Sequence, residues 1–247
     1  MADPFIRYVG LRKSFGPKEV LCGATLDVPV GETVAILGGS GSGKSVMLRH
    51  TIGLHRPEAG KVWVDGQEIS ELDEEDLLPV RKKVGMLFQA GALFDSMTVF
   101  DNVAFALREH TDWTEERIET RVGEVLGYVE LDKVEALMPA DLSGGMRKRV
   151  ALARAIALAP RAILYDEPTT GLDPVTAMTI NDLIRSLQQR LGVTSIVVTH
   201  DIHSAFCVAD HIAFLDEGRI SFYGSVAEAK ASGIPRLRSF LEAAGNA

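Results

Sequence analysis

Two short stretches of the chain combine glycine and serine with cations, a composition typical of phosphate binding. One is GGSGSGKS at Gly38–Ser45, and the other is DLSGGMRKR at Asp141–Arg149. Glycines let backbone N–H groups turn toward a phosphate, and a helix that starts in the loop adds its positive dipole end. Only the first stretch has a lysine where a phosphate-binding loop requires one. We therefore expect the two loops to differ in their roles.

The first stretch matches the P-loop pattern G-x4-G-K-[ST] in full. Lys44 would supply a cation to the β- and γ-phosphates of ATP, and Ser45 would offer a hydroxyl to Mg²⁺. A Gly/Ser-rich linker is disfavoured because a strand-like run, TVAIL, precedes the loop and VMLRHTIG follows it with helical periodicity. The residues expected to contact the nucleotide are Gly38, Gly39, Ser40, Gly41, Ser42, Gly43, Lys44, Ser45 and Val46.

Two carboxylates, Asp166 and Glu167, follow the apolar run AILY. In P-loop enzymes an aspartate at the end of such a strand helps to hold Mg²⁺, and we assign Asp166 to this role beside Ser45. The adjacent Glu167 could polarise an attacking water, a general-base contribution of about 10²–10⁴ in rate. The alternative is an acidic turn before Pro168, which the P-loop elsewhere in the chain disfavours.

Polar residues end two further predicted strands. SIVVTH ends at His200, and VGMLFQ ends at Gln89. Ligands of parallel sheets bind beyond the carboxyl ends of the strands. We therefore expect His200 to face the γ-phosphate and Gln89 to reach Mg²⁺ or the attacking water. A solvent-facing cap is the alternative for Gln89, and His200 with His203 lacks the third ligand that a metal site would need.

The elements that must position these residues follow from periodicity and turn residues. Helix is predicted from Thr98 to Met138 and between AILYDE and SIVVTH, with one or two short helices from Ser225 onward. Alternating strands and helices predict a mostly parallel sheet. Strands are predicted at FIRYVGLRKSF, GATLDV, TVAIL, VGMLFQ, AILYDE and SIVVTH, and hairpins at KVWVDGQEI and IAFLDEGRISFYG.

The bulk composition narrows the class of protein. The chain has 247 residues, of which 46% are hydrophobic, and a net charge of −8, which disfavours a nucleic-acid surface. Its two cysteines, Cys22 and Cys207, have no metal or redox spacing, so we expect a reduced cytosolic setting. No stretch approaches the roughly 18 apolar residues that span a bilayer, and the N-terminus has no apolar signal core. Any membrane role is expected to come through a partner.

The order of the motifs resembles the nucleotide-binding subunit of ABC transporters from end to end. The resemblance implies an α/β P-loop NTPase with a mostly parallel core sheet, an N-terminal antiparallel β subdomain and a small helical subdomain. It implies one domain over 1–247, with core and β subdomain at 1–90 and 160–230, helical subdomain at 91–159 and tail at 231–247. The matching elements are GGSGSGKS, Gln89, LSGGM (Leu142–Met146), Asp166-Glu167, GLD (Gly171–Asp173) and His200.

The resemblance also implies roles for individual residues. Phe15 would stack on adenine, and Val20 would pack against the same ring. The alternative for Phe15 is a buried position in the core of a strand. The remaining implied roles are the Q-loop for Gln89, the signature for Ser143, Gly144 and Gly145, the Walker B aspartate for Asp166, the catalytic glutamate for Glu167, the D-loop for Asp173 and the switch for His200.

Two positions depart from the usual family pattern. Met146 stands where the signature usually has Gln, and Val46 stands where Thr is common. Neither change removes a group that the phosphate contacts require. LSGGM and the run GALFDSMTVFDNVAFALREHT at Gly91–Thr111 are similar to the Mla/Mce-type lipid transport ATPases. That similarity implies transport of phospholipid or another hydrophobic compound at a bacterial envelope.

The family resemblance accounts for the second loop. It implies a head-to-tail homodimer in which each ATP lies between the P-loop of one copy and LSGGM of the other. It further implies an integral membrane permease, a lipid-binding Mce-domain protein and a small accessory subunit as partners, no nucleic acid, and a peripheral place on the cytoplasmic face of the bacterial inner membrane. The cations Arg147, Lys148 and Arg149 are either a solvated helix face or contributors to the local potential.

Other classes of protein fit less well. A soluble ABC ATPase of DNA repair or translation usually carries long insertions, whereas the segment between Gln89 and Leu142 is short. A small-molecule kinase would leave LSGGM unexplained. Within Gly91–Arg108 we expect an exposed groove for a short permease helix, with a helical core as the alternative. Its apolar residues are Leu93, Phe94, Met97, Val99 and Phe100.

Overall fold

The computed structural model describes residues 3–243, so residues 1–2 and residues 244–247 of the predicted tail lie outside the described residues. The strands are β1 (Ile6–Phe15), β2 (Lys18–Val28), β3 (Thr33–Leu37), β4 (Ala59–Val64), β5 (Gln67–Glu68), β6 (Val84–Leu87), β7 (Ala162–Asp166), β8 (Thr194–Thr199), β9 (His211–Asp216) and β10 (Arg219–Ser225). The helices are α1 (Lys44–His50), α2 (Glu74–Lys83), α3 (Val99–His110), α4 (Glu115–Tyr128), α5 (Gly144–Ile156), α6 (Pro174–Leu191), α7 (Ile202–Val208), α8 (Val226–Lys230) and α9 (Pro235–Ala243).

A six-stranded sheet in the order β10-β9-β3-β8-β7-β6 organises the molecule. Strands β9, β3, β8, β7 and β6 run parallel, and only β10 pairs antiparallel, with β9. The mostly parallel core sheet predicted from the sequence is therefore confirmed. Since β3, β8, β7 and β6 are neighbours, the loops that follow them meet at one edge of the sheet.

The N-terminal strands form a separate four-stranded antiparallel sheet in the order β2-β1-β4-β5. The predicted hairpin between β4 and β5 is confirmed, with Trp63 opposite Glu68. Its turn residues Asp65 and Gly66 have φ values of 52° and 76°, a left-handed pair that suits the twist of a two-residue hairpin. This sheet covers one face of the six-stranded sheet.

Strands β3, β7 and β8 of the six-stranded sheet are buried at every position, which explains why they are largely apolar. In β3, Val34 and Ile36 pack into the cluster shared with the antiparallel sheet, α1 and α2. Ala35 and Leu37 point to the opposite face and pack into the cluster shared with helices α3–α7. Each strand therefore fixes the position of the loop that follows it through contacts on two sides.

The helical segment between Gln89 and the second glycine-rich loop differs from the sequence prediction. Instead of continuous helix from Thr98 to Met138, α3 ends at His110, α4 ends at Tyr128, and residues 129–138 are irregular. Thr98 caps α3 by accepting from the backbone N–H of Asp101 at 3.1 Å. The break after α3 follows from the polar TDW sequence, which has no helical apolar periodicity.

Two further details were not predicted correctly. Helix α2 was missed, although Asp73 caps it by accepting from the N–H of Asp76 at 3.1 Å, and acidic and basic residues occupy its first and last turns. Pro79 inside this helix weakened the sequence signal. Strand β6 ends at Leu87, so Gln89 lies in the following turn and not in the strand.

The predicted short helices at the C-terminus are present within the described residues as α8 and α9. Ser225 begins α8 with a capping box, in which its hydroxyl accepts from the N–H of Glu228 at 3.2 Å. Leu237 and Leu241 of α9 are buried in the same apolar cluster as α7. This segment therefore packs against the body of the chain through residue 243.

Candidate functional site

The candidate site lies where neighbouring parallel strands end. The P-loop follows β3, His200 follows β8, Asp166 ends β7, and Gln89 lies in the turn after β6. Beyond these strand ends is a cleft of about 720 Å³. Its lining includes Lys18, Val20, Gly39, Ser40, Gly41, Gly43, Lys44, Ser45, Val46, Gln89, Glu167, His200 and Phe240.

The P-loop has the backbone geometry that its glycines permit. Gly41 and Gly43 have φ values of 75° and 104°, a left-handed region that favours glycine. A Cβ on Gly38 would collide with the backbone carbonyl of Leu215, which explains the glycine at the start of the loop. Lys44 Nζ donates to the carbonyls of Gly38 at 2.8 Å and Gly39 at 3.0 Å, so the ammonium is fixed inside the loop.

The charge of Lys44 is balanced by two nearby carboxylates. The side chain is only 6% exposed, and this burial lowers its pKa. The carboxylates of Glu167 and Asp166 oppose that shift, and Glu167 Oε1 lies 4.0 Å from Lys44 Nζ. Burial has the larger effect, so the pKa of Lys44 is lowered overall, and the two carboxylates offset only part of that shift.

Ser45 and Asp166 form a pair of oxygen donors suited to Mg²⁺. Ser45 Oγ donates to Asp166 Oδ1 at 2.6 Å, and Asp166 is 2% exposed. Arg49 Nη2 lies 3.9 Å from the second carboxylate oxygen. Among residues 3–243 no cluster of three or more His, Cys, Asp or Glu could hold a metal. The donor set fits Mg²⁺, which proteins commonly bind through one or two carboxylates together with phosphates and water.

The Glu167 carboxylate is held by three polar side chains at the rear of the cleft. Oε2 accepts from the hydroxyls of Thr170 and Thr199, both at 3.2 Å. The ring Nδ1 of His200 lies 3.0 Å from Oε1. Glu167 has φ 49°, an unusual left-handed conformation for a glutamate, which aims its side chain toward the P-loop. The geometry suits a carboxylate that orients a water molecule.

The second glycine-rich loop lies outside the cleft of its own chain. Ser143 is exposed and caps α5, accepting from the N–H of Met146 at 3.2 Å. Gly145 is buried, and a Cβ there would lie 2.5 Å from Thr176 Cγ2, so packing against α6 requires a glycine. Asp173 also lies apart from the cleft, where it caps α6 by accepting from the N–H groups of Val175 and Thr176 at 3.0 Å.

The two residues assigned to the base differ in their surroundings. Val20 lines the cleft, as the family resemblance implies. Phe15 is 45% exposed and packs edge-on against His55 at 5.4 Å. The alternative of a core position for Phe15 is therefore wrong. Phe240 of α9 borders the cleft as well, and no sequence motif marks it.

The three cations after the signature loop occupy different environments. Lys148 is 6% exposed and donates to the backbone carbonyls of Gln89 and Glu167, so it is not part of a solvated helix face. Arg147 donates to the carbonyl of Leu142 at 2.5 Å. Arg149 donates to the carbonyl of Glu130 at 3.1 Å. Their sequence spacing alone did not indicate that only one of them reaches the site.

Comparison with known proteins agrees with the geometry of the cleft. Residues 21–170 match the family model of the ABC transporter. The chain is 44% identical over 218 residues to the intermembrane phospholipid transport system ATP-binding protein MlaF of Escherichia coli, covering 88% of this chain and 81% of MlaF. It is 43% identical over 236 residues to the probable ribonucleotide transport ATP-binding protein mkl of Mycobacterium leprae, covering 96% of this chain.

The chain spans only about two thirds of the mycobacterial relatives, 68% of the M. leprae protein and 65% of that from M. tuberculosis. A solved dimeric ATP-binding cassette in a post-hydrolysis state with ADP and Pi is similar, with a TM-score of 0.82 and 34% identity over 90% of this chain and 98% of that one. The chain belongs to the ABC transporter family, as its ATP-binding subunit that hydrolyses ATP.

Proposed function

We propose that this chain drives the movement of phospholipid or another hydrophobic substrate between bacterial envelope membranes. The observation that carries this proposal is the 44% identity, over 88% of this chain, to MlaF, the ATP-binding protein of an intermembrane phospholipid transport system. The similarity to mkl makes ribonucleotide the alternative substrate. An ATPase acting on nucleic acid is a weaker alternative because the net charge is −8 and α3 and α4 fill the short segment before the signature.

The residues of the cleft would have different roles in ATP binding and hydrolysis. Lys44 would bind the β- and γ-phosphates, and Ser45 with Asp166 and Gln89 would hold Mg²⁺. Bound Mg²⁺ would neutralise charge that develops on the phosphates. Glu167 would accept the proton of the attacking water, while His200 would orient the Glu167 carboxylate that it contacts at 3.0 Å.

The exposed signature loop supports a site shared between two copies. Ser143 is exposed and Gly144 is half-buried at the start of α5, and neither residue lines the P-loop cleft of the same chain. In a head-to-tail homodimer the Ser143 hydroxyl and the Gly144 N–H would reach the γ-phosphate bound by the other copy. Gly145 would take part through its backbone, since packing against Thr176 already explains its missing side chain. The dimeric state of the similar cassette is consistent with this arrangement.

A partner would be needed to carry substrate, and the chain has a suitable surface for it. Within the described residues, no helix is long and apolar enough to cross a membrane. Phe94 and Phe105 are 42% and 38% exposed, and their rings lie 5.1 Å apart. The guanidinium of Arg154 lies 5.7 Å from the Phe94 ring. We propose that a short helix of an integral permease docks on this aromatic pair.

The predicted extent of this groove needs one correction. Val99 is fully buried in the apolar cluster, and Leu93 and Phe100 are partly buried against it. The predicted exposed residue Phe94 remains, and Phe105 joins it. The proposed complex would further include a lipid-binding Mce-domain protein and a small accessory subunit, with this chain on the cytoplasmic face of the inner membrane.

Reconstitution tests the proposed substrate. The chain and the permease with which it copurifies would be placed in proteoliposomes, and ATP-dependent transfer of fluorescent phospholipid to acceptor vesicles would be measured. We expect transfer with the native chain and none with Glu167→Gln. ATP-dependent ribonucleotide uptake without lipid transfer would support the alternative substrate and contradict the proposal.

A further inference from the structure

Lys148 lies in the fifth position of α5 and occupies an unusual environment for a lysine. Its side chain is 6% exposed, and its ammonium donates to the backbone carbonyl of Gln89 and to that of Glu167, the latter at 3.3 Å. Among the described residues, no carboxylate forms an ion pair with it within 4.0 Å. The charge is therefore compensated by peptide carbonyls and by the more distant carboxylates of Asp166 and Glu167.

A contribution to the stability of the fold does not explain why the Lys148 ammonium is buried. Burial of an ammonium without a direct ion pair is costly, and here burial lowers the pKa of Lys148. A methionine of similar length would fill the same space without a charge to desolvate. Unlike an apolar side chain, the ammonium can form hydrogen bonds to two separate segments of the site, one at Gln89 and one at Glu167.

Those two segments carry the residues on which hydrolysis depends in the proposed function. Gln89 begins the turn that leads to the aromatic surface at Phe94. Glu167 has a left-handed backbone with φ 49°, which costs energy unless the surroundings hold it. Its own N–H donates to the carbonyl of Val198 at 2.9 Å, and Lys148 binds its carbonyl. Lys148 therefore supports the side of the Glu167 backbone that β8 does not.

Arg154 gives an internal comparison on the same helix. Six residues after Lys148, Arg154 donates to the carbonyls of Gly91 at 3.0 Å and Ala92 at 2.8 Å. Helix α5 therefore holds the turn after β6 through two cations, but only Lys148 also reaches Glu167. Through Lys148, a displacement of α5, which begins at the signature loop, would act directly on the carbonyl of Glu167.

We infer that Lys148 is a positioning residue that fixes the Glu167 backbone and the Gln89 turn to the signature helix, so that hydrolysis depends on the position of that helix. The inference rests on the proposed role of Glu167. It predicts an effect on the hydrolysis step rather than on ATP binding, because Lys148 contacts backbone carbonyls and not the cleft.

The test uses the purified full-length chain with four substitutions. Lys148→Met removes both hydrogen bonds, Lys148→Arg keeps a charged donor that can serve two acceptors, and Lys148→Gln keeps a neutral donor. Arg149→Met is the matched control, since Arg149 lies on the same helix and binds only the carbonyl of Glu130. Turnover at saturating ATP, KM, affinity for a fluorescent ATP analogue and melting temperature would be measured for each.

We expect Lys148→Met to lower kcat by about tenfold or more with KM within about threefold, because small displacements of a catalytic group cost rate more than binding. Lys148→Arg should recover most of that loss, and Arg149→Met should behave as the native chain. A folded Lys148→Met variant with native kcat, or one that raises KM alone, would overturn the inference. If Lys148→Met fails to fold, equal kcat values for Lys148→Arg and Lys148→Gln would overturn it, and a clear advantage for Lys148→Arg would support it.

Glu167→Gln, assayed in parallel, distinguishes the proposed role of Glu167 from the positioning role of Lys148. Native turnover in that variant would refute the proposed role of Glu167 itself. Loss of turnover in Glu167→Gln together with native turnover in Lys148→Met would leave the proposed function intact and refute only the positioning role.

Discussion

Replacing Glu167 with glutamine perturbs the proposed hydrolysis step while keeping the shape of the side chain. The carboxylate accepts from Thr170 and Thr199 at 3.2 Å and contacts His200 at 3.0 Å. A glutamine keeps one acceptor oxygen, and threonine hydroxyls can accept from its amide. We therefore expect the free energy of unfolding to fall by only about 1 kcal/mol, the cost of one imperfect hydrogen bond.

The effect on rate should be much larger than the effect on stability. A glutamine cannot take a proton from water, and loss of a general base costs about 10²–10⁴ in rate, or about 3–5 kcal/mol in activation free energy. ATP should still bind, because Lys44 and Ser45 are unchanged. Persistent γ-phosphate should then hold two copies together, so light scattering with ATP and Mg²⁺ should report a dimer.

Thr170→Val is the matched control for this substitution. It removes one hydrogen bond to Glu167 Oε2 but leaves the carboxylate in place. We expect it to lower turnover by less than about tenfold, a small share of the loss in Glu167→Gln. Turnover of Glu167→Gln within a few fold of the native chain would refute the assignment of Glu167 as the base.

Three further predictions concern packing, docking and pH. Gly145→Ala places a methyl 2.5 Å from a threonine methyl of α6 and should destabilise by about 1–3 kcal/mol in urea unfolding, whereas Gly144→Ala, at 3.5 Å from its nearest neighbour, should not. Phe94→Asp should release the chain from its membrane complex without loss of helical circular dichroism, whereas Val99→Asp, at a fully buried site, should unfold it. Burial lowers the pKa of His50 to about 4, below its value in the unfolded chain, so stability should fall as pH drops from about 6.5 toward 4. Between pH 7 and 5, His50 should lower the free energy of unfolding by about 2 kcal/mol. In urea unfolding, His50→Gln should therefore lose less stability than the native chain over this pH range. An equal loss in the two proteins would contradict the lowered pKa of His50.

The parts of the fold and site that follow from local patterns could be predicted from the sequence. Strand β3, the P-loop and the acidic pair after β7 are each defined by adjacent residues, and parallel pairing brings their ends to one edge. The hairpin at Asp65-Gly66 was predictable for the same reason, because its turn chemistry is contained in two residues.

The remaining features depend on contacts between distant segments. The three cations after the signature look equivalent in sequence, yet only Lys148 reaches the backbone carbonyls of Gln89 and Glu167, because α5 packs one face against the body of the chain. Val99 and Phe94 are both apolar and five residues apart, but only Val99 faces the core. The position of Phe240 beside the cleft depends on how α9 folds back, which no local motif encodes.

A shared ATP site requires that Ser143 of one copy act on the ATP held by Lys44 of the other. Lys44→Ala and Ser143→Arg would be placed on separate, differently tagged chains, and the mixed complex would be isolated. A second complex would pair a chain carrying both substitutions with a native chain. Tight nucleotide retention is the measurement, because turnover can require two working sites.

If the sites are shared, the first pairing puts both defects into one site and leaves the other intact, so one nucleotide per complex should be retained. The second pairing should then damage both sites and retain none. Retention only in the second pairing would mean that each site is built within one chain, and it would contradict the proposed role of the second glycine-rich loop.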